Sequence, residues 1–427
     1  MSLKKTKIAI AGVGTVGSGV IELIKKNSIQ KKFGIEVTAI ASRRKLNKKS
    51  LGFSGTKFFN NAESLIDFDN YDILVELIGG EDGISKKIVL DALKKGKNVV
   101  TANKALVSKH WKKLNEITKE RRSEIKYEAA VAGGIPIIKV LNDFLISNKI
   151  KKIYGILNGT SNFILTNMLD SNSTFEKILE KAQHLGYAES DPSFDIDGVD
   201  TSHKLAILSS LAFNINCDLK SIFVEGIRNI DLTDLLYSNE LGYKVKLLGI
   251  AQIRQKNLIN FVYPCLVDKN ELISKVSGVY NGIVVESDFC KKSFFQGEGA
   301  GSQPTATSVL SDIIDLSIKE FKKKPKPKIK IVKNISISDR SGSFYLRFST
   351  KDQPGVISGI TNEFKKNNIS MKSMLQKNDV SKETKCATIV VTTHNCMEKD
   401  MMKALAKINN LRFVLKKTTY MRIENFK

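Results

Sequence analysis

One short stretch near the N-terminus, residues 7–17, reads Lys-Ile-Ala-Ile-Ala-Gly-Val-Gly-Thr-Val-Gly and decides the architecture of the first domain. Its first five residues form an apolar strand pattern, and residues 18–26 continue with helical spacing. A G-x-G-x-x-G sequence between a strand and a helix is typical of a dinucleotide-binding βαβ unit, in which the phosphates face the helix N-terminus. The glycines serve the tight turn, the approach of the pyrophosphate and close helix packing, respectively. We expect the cofactor contacts to be Gly12, Gly14, Thr15, Val16 and Gly17.

The end of the second strand pattern bears on which nucleotide is bound. Residues 35–41, Ile-Glu-Val-Thr-Ala-Ile-Ala, are followed by Ser42, Arg43 and Arg44. NAD-binding units usually carry an acidic residue there to hold the ribose hydroxyls, and none is present. Two arginines and a hydroxyl suit a 2′-phosphate, so the sequence favours NADP over NAD. Surface charge in a lysine-rich protein is the alternative explanation.

Strand and helix patterns then alternate through the first third of the chain. Strands are predicted at 71–78 and 124–130, with a helix at 84–95. Alternation of this kind predicts a parallel, doubly wound α/β sheet of the Rossmann type. Ligands of such sheets lie at the carboxyl ends of the strands. Thr101 and Lys104 would fall there, which makes Lys104 a candidate active-site lysine.

An acidic stretch at residues 186–204 is the second chemically informative feature. It reads Gly-Tyr-Ala-Glu-Ser-Asp-Pro-Ser-Phe-Asp-Ile-Asp-Gly-Val-Asp-Thr-Ser-His-Lys and enters an apolar helix near Asp200. Asp200 and Lys204 are four residues apart and share a helix face. A lysine beside carboxylates is a candidate proton carrier, although a solvated acidic loop explains the pattern equally well. His203 is expected to be a helix-surface histidine.

The remaining chain predicts two further domains. Residues 137–317 carry helices and strands of their own, and residues 320–330 read as a lysine-rich linker. Beyond it the predicted elements follow a βαββαβ order, ending in a strand at 412–423. The predicted domains are a nucleotide-binding domain at 1–135, a central α+β catalytic and dimerisation domain at 136–319, a linker at 320–341, and a ferredoxin-like domain at 342–427.

Composition limits the function classes. The chain has 427 residues, five cysteines without a C-x-x-C pair, and a net charge of +24. Scattered cysteines fit free thiols in a reducing compartment, and no apolar run reaches the roughly 18 residues of a membrane span, so we expect a cytoplasmic protein. Its lysines are spread over the whole length rather than concentrated on one segment. This distribution argues against nucleic-acid binding.

Three motifs together resemble homoserine dehydrogenase. They are Lys-Asn-Val-Val-Thr-Ala-Asn-Lys at 97–104, Gly-Tyr-Ala-Glu-x-Asp-Pro-x-x-Asp-x-x-Gly-x-Asp-x-x-x-Lys at 186–204, and Gly-Ala-Gly-x-x-Pro-Thr-Ala-x-Ser-Val at 299–309. The C-terminal unit, with Asp-x-Pro-Gly-Val at 352–356, resembles an ACT domain. The resemblance implies a reversible NAD(P)-linked interconversion of L-homoserine and L-aspartate 4-semialdehyde, a step towards threonine, methionine and isoleucine.

The same resemblance implies roles for individual residues. Lys204 matches the proton donor and acceptor, Lys104 a lysine of the nicotinamide and substrate site, and Glu189 and Asp200 the residues that hold homoserine. Gly186 and Gly301 match cofactor-contacting glycines. A sodium site is implied at Glu128 with the backbone of Val131, Gly133 and Ile135, although small residues at a hinge explain that segment as well. The ACT domain implies a homodimer or homotetramer and regulation by L-threonine.

The expected chemistry requires one neutral lysine. Oxidation of homoserine removes a hydride from the carbinol carbon and a proton from its hydroxyl, and only an uncharged amine accepts that proton. Because Asp200 favours a charged Lys204, we expect the substrate ammonium to share Asp200; the lysine that takes the proton is Lys204 or Lys104. The rival hypotheses are another Rossmann dehydrogenase and an amino-acid sensor that has lost catalysis.

Overall fold

The computed structural model describes residues 5–26, 28–44, 53, 55–318, 329–377 and 386–426. The strands, in chain order, are β1 (Thr6–Ala11), β2 (Ile35–Ala41), β3 (Lys57–Phe59), β4 (Ile73–Glu76), β5 (Asn98–Thr101), β6 (Ile125–Lys126), β7 (Ile150–Ile156), β8 (Phe223–Val224), β9 (Tyr243–Arg254), β10 (Asn257–Asp268), β11 (Tyr280–Ser287), β12 (Lys292–Glu298), β13 (Lys333–Asn334), β14 (Ser341–Lys351), β15 (Met371–Lys377), β16 (Cys386–Thr393), β17 (Cys396–Met397) and β18 (Thr419–Glu424).

The helices are numbered in the same way. The α-helices are α1 (Thr15–Lys26), α2 (Ile29–Phe33), α3 (Ile84–Lys94), α4 (Lys104–Arg121), α5 (Ile137–Lys139), α6 (Gly159–Asp170), α7 (Phe175–His184), α8 (Ser193–Ile196), α9 (Val199–Phe213), α10 (Leu232–Glu240), α11 (Ser302–Ile318), α12 (Val356–Lys366) and α13 (Glu398–Ile408). Shorter 3-10 segments cover Ala62–Leu65, Glu128–Ala130, Leu219–Ser221, Leu272–Lys275 and Ile337–Asp339, and a π-helical turn covers Val140–Phe144.

The chain divides into two compact units, and both are discontinuous in sequence. The first comprises Met1–Gly159, Asp200–Ile222 and Val279–Val332. The second comprises Thr160–Val199, Phe223–Gly278 and Lys333–Lys427.

The first unit is built on the predicted nucleotide-binding sheet. Six parallel strands lie in the order β3-β2-β1-β4-β5-β6. The inner strands are buried except for the first two residues of β1, and their centres are apolar, as expected where helices cover both faces of a parallel sheet. Helix α11 joins the same apolar core through Val309 and Ile313, and it packs on α1 at Gly19, where a Cβ would lie 2.6 Å from Ser302 Oγ. The α/β prediction is confirmed.

A smaller antiparallel ladder belongs to the same unit. Strand β11 pairs with β7 on one side and β12 on the other. The first unit thus contains residues 157–158, directly after β7, and Asn281 of β11. It also contains residues 200–204 of α9. The structural role of these segments is therefore to complete the region beyond the carboxyl edge of the parallel sheet.

The second unit combines a long hairpin with the C-terminal domain. Strands β9 and β10 pair antiparallel along their full length, and β18 joins β10 in parallel. Strand β18 also pairs with β14, which continues the sheet through β16 to β15. Helices α12 and α13 cover a core that contains Phe344, Phe348 and Met401. The predicted βαββαβ order of the ferredoxin-like domain is confirmed.

Three predicted strands are shorter than expected, and the first of them, predicted at 71–78, is confined to β4. The strand predicted at 124–130 ends at β6, because the backbone turns into the 3-10 segment where Glu128 N donates to Asp312 Oδ2 at 2.8 Å. The strand predicted at 412–423 begins only at Thr419, since Asn409 Oδ1 accepts from Thr418 N at 2.9 Å and holds the preceding residues in a loop. Of the linker predicted at 320–341, residues 320–328 lie outside the described residues, and the remainder contains β13 and the 3-10 segment Ile337–Asp339.

Candidate functional site

A buried polar network organises the carboxyl edge of the parallel sheet. Glu76, the last residue of β4, is fully buried and accepts from Ile78 N at 2.9 Å and from Gly79 N at 3.1 Å. Its second oxygen accepts from Thr101 Oγ1, at the end of β5, at 2.6 Å. The network fixes the loop after β4 relative to β5. Sequence reasoning missed Glu76, although an acid at the end of an otherwise apolar strand was a visible signal.

Asn103 extends this network to the start of α4. Its Oδ1 accepts from Leu106 N at 3.1 Å and caps the helix, which satisfies one of the amides that a helix N-terminus leaves open. Its Nδ2 donates to Gly80 O at 2.6 Å and to Ser85 Oγ at 2.9 Å. Lys104 is the next residue and the first of α4. The position of Lys104 is thus set by a cap whose other contacts hold the loop after β4.

Asp200 lies between the two predicted lysines. Its Oδ1 lies 2.5 Å from Lys104 Nζ and its Oδ2 lies 2.8 Å from Lys204 Nζ. Asn158 Nδ2 also donates to Oδ2 at 2.8 Å, a contact that sequence reasoning missed. The two lysines differ in exposure: 35% of the Lys104 side chain is accessible, against 9% for Lys204. The less solvated lysine is therefore Lys204.

The electrostatics of this cluster favour an ionised Asp200. Burial opposes ionisation of the carboxyl, but the ammonium groups of Lys204 and Lys104 outweigh it and hold the pKa of Asp200 well below its usual range. Lys204 Nζ donates in addition to Leu157 O at 2.6 Å, and Asn281 Nδ2 donates to the same oxygen at 3.1 Å. Either lysine, Lys104 or Lys204, can carry a positive charge beside Asp200, and either can exchange a proton with a bound ligand.

His203 is buried, so its expected place on the helix surface was wrong. Only 5% of the residue is accessible, and its Nδ1 lies 2.7 Å from Ser108 Oγ on α4. Ser108 Oγ also lies 3.2 Å from Ala105 O and can donate its proton there. In that case the Nδ1–H of His203 is the donor to the Ser108 hydroxyl. Burial lowers the pKa of His203, in spite of the nearby Asp200 carboxylate. The contact ties α9 to α4 beside the lysine pair.

The glycine fingerprint has the geometry that a nucleotide requires. Gly12 adopts a φ of +102°, which favours glycine, and a Cβ on Gly17 would lie 2.2 Å from Gly12 O. The Cβ position of Gly14 has no atom within 4 Å, so its backbone is open to a ligand. Thr15 is exposed and Val16 partly exposed at the start of α1. These residues fit a dinucleotide phosphate at the helix N-terminus.

Ser42, Arg43 and Arg44 come directly after β2 at the same edge of the sheet. Ser42 is largely buried and its Oγ accepts from Arg44 N at 3.2 Å, which curls the chain after the strand. Both arginines are exposed. Gly301, directly before α11, has a φ of +114°, and Ser302 Oγ donates to Thr15 O at 2.7 Å. Gly301 is thus brought beside the fingerprint helix.

Gly186 and Glu189 belong to the second unit. Gly186 adopts a φ of +75° in the turn after α7, and Glu189 is exposed, with its backbone oxygen accepting from Gln183 Nε2 at 3.1 Å. Another acid of the same stretch, Asp197, pairs with Arg228, whose Nη2 lies 3.0 Å from Oδ2. The roles implied for Gly186 and Glu189 stay predictions.

Glu128 lies in a second buried carboxylate cluster. Its two oxygens accept from Ile138 N and Lys139 N, each at 2.8 Å, and its own N–H donates to Asp312 Oδ2. Burial, with a further contribution from the charge of Asp312, raises the pKa of Glu128 to about 7. Burial also raises the pKa of Asp312 to about 6. The charge nearest to the pair is the Lys139 ammonium, whose Nζ lies 3.9 Å from Asp312 Oδ1.

The loop predicted to complete a sodium site, Val131 to Ile135, is irregular. Ala132 and Gly133 both have positive φ values, 56° and 47°. Gly133 O accepts from Ser308 Oγ at 2.6 Å, and Gly134 N donates to Glu298 O at 2.9 Å. Backbone oxygens together with a carboxylate are the donor set of a hard cation, and this loop follows the buried Glu128 directly in sequence.

Within the described ranges, two further features of the chain are plain. No helix combines the length and the apolar character needed to cross a membrane. No three His, Cys, Asp or Glu side chains are grouped so that they could hold a metal ion.

Three family models match the chain. "Homoserine dehydrogenase, NAD binding domain" covers residues 12–128, "Homoserine dehydrogenase" covers 136–314, and "ACT domain" covers 344–413. Homoserine dehydrogenases of Helicobacter pylori and Neisseria gonorrhoeae are 38% and 36% identical to the chain; the first alignment covers 99% of this chain and 100% of that protein, the second 99% of each.

Solved structures give the same result. The crystal structure of a homoserine dehydrogenase from Thiobacillus denitrificans has a TM-score of 0.92 and 36% identity, and it covers 99% of both chains. A hyperthermophilic archaeal homoserine dehydrogenase in complex with NADPH has a TM-score of 0.63 and 28% identity, and it covers 77% of this chain and 100% of that one. The similarity extends over both the fold and the sequence.

Proposed function

This chain belongs to the homoserine dehydrogenase family, and we propose that within its active site Lys204 carries the proton while Lys104 orients the substrate. It is an oxidoreductase that interconverts L-homoserine and L-aspartate 4-semialdehyde with a nicotinamide cofactor, in the biosynthesis of threonine, methionine and isoleucine. Family membership over nearly the whole chain favours this enzyme over the two rival hypotheses, which are a sensor without catalysis and a different Rossmann dehydrogenase.

The observation that carries the proposal is Asp200 held between two ammonium groups. Its 2.5 Å contact with Lys104 and 2.8 Å contact with Lys204 place both amines on one carboxylate. Lys204 is the less exposed of the two, and desolvation favours the neutral form of an amine. A general base must be neutral before it accepts a proton, so the less solvated lysine is the better candidate.

Substrate binding completes this mechanism. We assign the homoserine ammonium to Asp200 and Glu189, in agreement with the family motif. A third positive charge at Asp200 competes with Lys204 for the carboxylate and disfavours the charged lysine. When bound, the oxidised nicotinamide supplies the hydride acceptor. The neutral Lys204 then takes the hydroxyl proton as the carbinol carbon is oxidised, and in the reverse direction it returns that proton to the aldehyde oxygen.

We assign the nicotinamide cofactor to the glycine fingerprint and propose a preference for NADP over NAD. The absence of an acid after β2 and the exposed Arg43 and Arg44 support a 2′-phosphate site. The archaeal relative in complex with NADPH is consistent with this preference. The Arg43→Ala variant should lower kcat/KM for NADP by about 10-fold or more and leave that for NAD within about threefold. The remaining cofactor contacts proposed are Gly12, Gly14, Thr15, Val16, Gly17, Ser42, Lys104, Gly186 and Gly301.

We also propose a sodium ion at Glu128 with the backbone oxygens of Val131, Gly133 and Ile135. The support is the contact between two buried acids, Glu128 and Asp312, whose pKa values burial raises, together with the irregular backbone of the loop that follows Glu128. Because a cation there offsets the buried negative charge, its role would be structural. Small residues at a hinge are the alternative explanation of this loop.

Organisation and regulation are proposals of the same kind. The predicted domains at 1–135, 136–319 and 342–427, with a linker at 320–341, are supported by family matches at 12–128, 136–314 and 344–413. We propose a homodimer or homotetramer and L-threonine as a ligand of the ACT domain. The five free cysteines support a cytoplasmic location.

The test of the catalytic proposal is a spectrophotometric assay of NADP and NAD reduction with L-homoserine, with and without L-threonine. Lys204→Ala should lower kcat by about 10²–10⁴-fold with KM changed only a few-fold. Lys104→Ala should raise KM and lower kcat less. Lys113→Ala, at an exposed position of the same helix, is the matched control and should behave as wild type.

Two outcomes would contradict the proposal. If Lys104→Ala abolishes turnover while Lys204→Ala retains kcat within about tenfold, the two lysines have exchanged roles relative to our assignment. If both variants keep wild-type kcat, neither lysine carries the proton.

A further inference from the structure

Asn281 is a fully buried polar side chain of β11 and lies outside the three motifs quoted above. Its Nδ2 donates to Leu157 O at 3.1 Å, and the same oxygen accepts from Lys204 Nζ at 2.6 Å. Its Oδ1 is buried without a hydrogen-bond partner among the residues that the structure describes. A buried amide that leaves one group unpaired costs free energy, so its retention beside Lys204 requires an explanation.

The orientation of this amide is fixed by its surroundings. A Cβ on Gly299 would lie 2.1 Å from the Asn281 side chain, so the amide packs directly against the glycine backbone that precedes α11. Exchanging its oxygen and nitrogen would place Oδ1 against Leu157 O, two acceptors facing one another. The N–H of Asn281 therefore points at the oxygen that Lys204 uses.

We propose that Asn281 is a positioning residue that tunes the charge of Lys204 through the shared oxygen of Leu157. The N–H of Asn281 places the positive end of its dipole on Leu157 O, which also accepts the hydrogen bond from the Lys204 ammonium. The dipole makes this oxygen a weaker partner for a charged amine and therefore favours the neutral form of Lys204. The inference rests on the role of Lys204 proposed above.

Charged side chains also lie beside Lys204 in the first unit. Asp200 lies on its own helix, and Lys104 approaches Asp200 from α4. His203 neighbours it in sequence and is tied to Ser108. Asn281, on β11, and Lys204 both donate to the backbone oxygen of Leu157, directly after β7, and neither Asn281 nor Leu157 titrates. A change of charge at residue 281 is therefore expected to act on Lys204 across this shared oxygen.

The experiment is the pH dependence of kcat in both directions for wild type, Asn281→Asp and Asn281→Leu. The two hydrogen bonds of 2.6 Å and 3.1 Å to one oxygen put the Asn281 amide within about 6 Å of Lys204 Nζ. A carboxylate at that distance should move the inflection of homoserine oxidation up by roughly one to two pH units. Asn281→Leu, which removes the amide dipole without adding a charge, should move it up by about half a unit.

The reverse reaction distinguishes tuning from structural damage. Aldehyde reduction needs the charged lysine, so its inflection should move to higher pH together with that of oxidation. A variant with a merely disturbed fold would lose rate at every pH without a shift. Asn98→Asp is the matched control: Asn98 is buried in β5 of the same unit, its Oδ1 accepts from Glu124 N at 2.9 Å, and a carboxylate can do the same.

An upward shift of both inflections in Asn281→Leu, with none in Asn98→Asp, supports the proposal, and Asn281→Asp gives the size of the shift that a full charge at this place produces. Unshifted inflections in Asn281→Leu overturn it. The Lys204→Ala variant separates this failure from that of the proposed function. If Lys204→Ala keeps the wild-type pH profile and rate, the assignment of Lys204 fails; if it loses turnover and the Asn281 variants do not shift, only the role of Asn281 fails.

Discussion

Asp200→Asn separates the two tasks given to Asp200, which are to hold the substrate ammonium and to set the charge of Lys204. The substitution keeps the shape of the side chain and removes its charge, 2.8 Å from Lys204 Nζ. At an effective dielectric constant near 20, the attraction between two unit charges at that distance is about 6 kcal/mol, which corresponds to a shift of roughly four pH units in the titration of Lys204. Because Lys104 shares the carboxylate and water replaces part of the lost interaction, we expect roughly two to four units.

The direction of the change is set by the sign of the charge. Loss of a carboxylate disfavours the ammonium, so Lys204 becomes neutral at lower pH, and the inflection of homoserine oxidation should move down. At the same time the substrate ammonium loses a charged partner worth about 1.5–3 kcal/mol, which should raise KM about 10- to 100-fold. Initial rates of NADP reduction across pH, at several homoserine concentrations, measure both effects.

Asp197→Asn is the matched control for this prediction. Asp197 belongs to the same acidic stretch, is only partly buried and pairs with Arg228, so its substitution should leave both KM and the inflection unchanged. An Asp200→Asn enzyme with an unshifted inflection would refute the charge argument. An unchanged KM would refute the assignment of the homoserine ammonium to Asp200.

The geometry of the two units supports three further predictions. Gly17→Ala should destabilise the free protein by about 1–3 kcal/mol, since its Cβ meets backbone at 2.2 Å, whereas Gly14→Ala should only weaken NADP binding; thermal unfolding and cofactor titration measure the two effects. Burial lowers the pKa of Lys246 to about 7, against about 10.4 when unfolded, so the unfolded chain binds more protons between these values and stability should rise from pH 7 to 9. Lys246→Met should flatten that rise in the unfolding midpoint. At constant pH and ionic strength, sodium chloride should raise the unfolding midpoint above that in tetramethylammonium chloride, and Glu128→Gln should remove the difference; equal midpoints in wild type contradict the sodium site.

Particular residues show where sequence reasoning was sufficient and where it was not. The strand, the turn and the helix around Gly12 were predictable because the signal is local and its glycines have conformational reasons. Burial of His203 was missed because most residues of α9 are buried, polar ones included, and the periodicity of such a helix does not show which polar residues face inward. The short β6 was missed because Asp312, far along the chain, captures the amide of Glu128.

The sequence by itself determined the order of elements, the nucleotide fingerprint and the pairing of Asp200 with Lys204, because all of these depend on spacing within one element or between adjacent ones. Only the tertiary structure brought Lys104 to the same carboxylate and Asn281 to the oxygen used by Lys204. These contacts join α4, β11, α9 and the residue after β7 across long separations in sequence. Periodicity tells which face of an element is buried, but packing decides which partner that face meets.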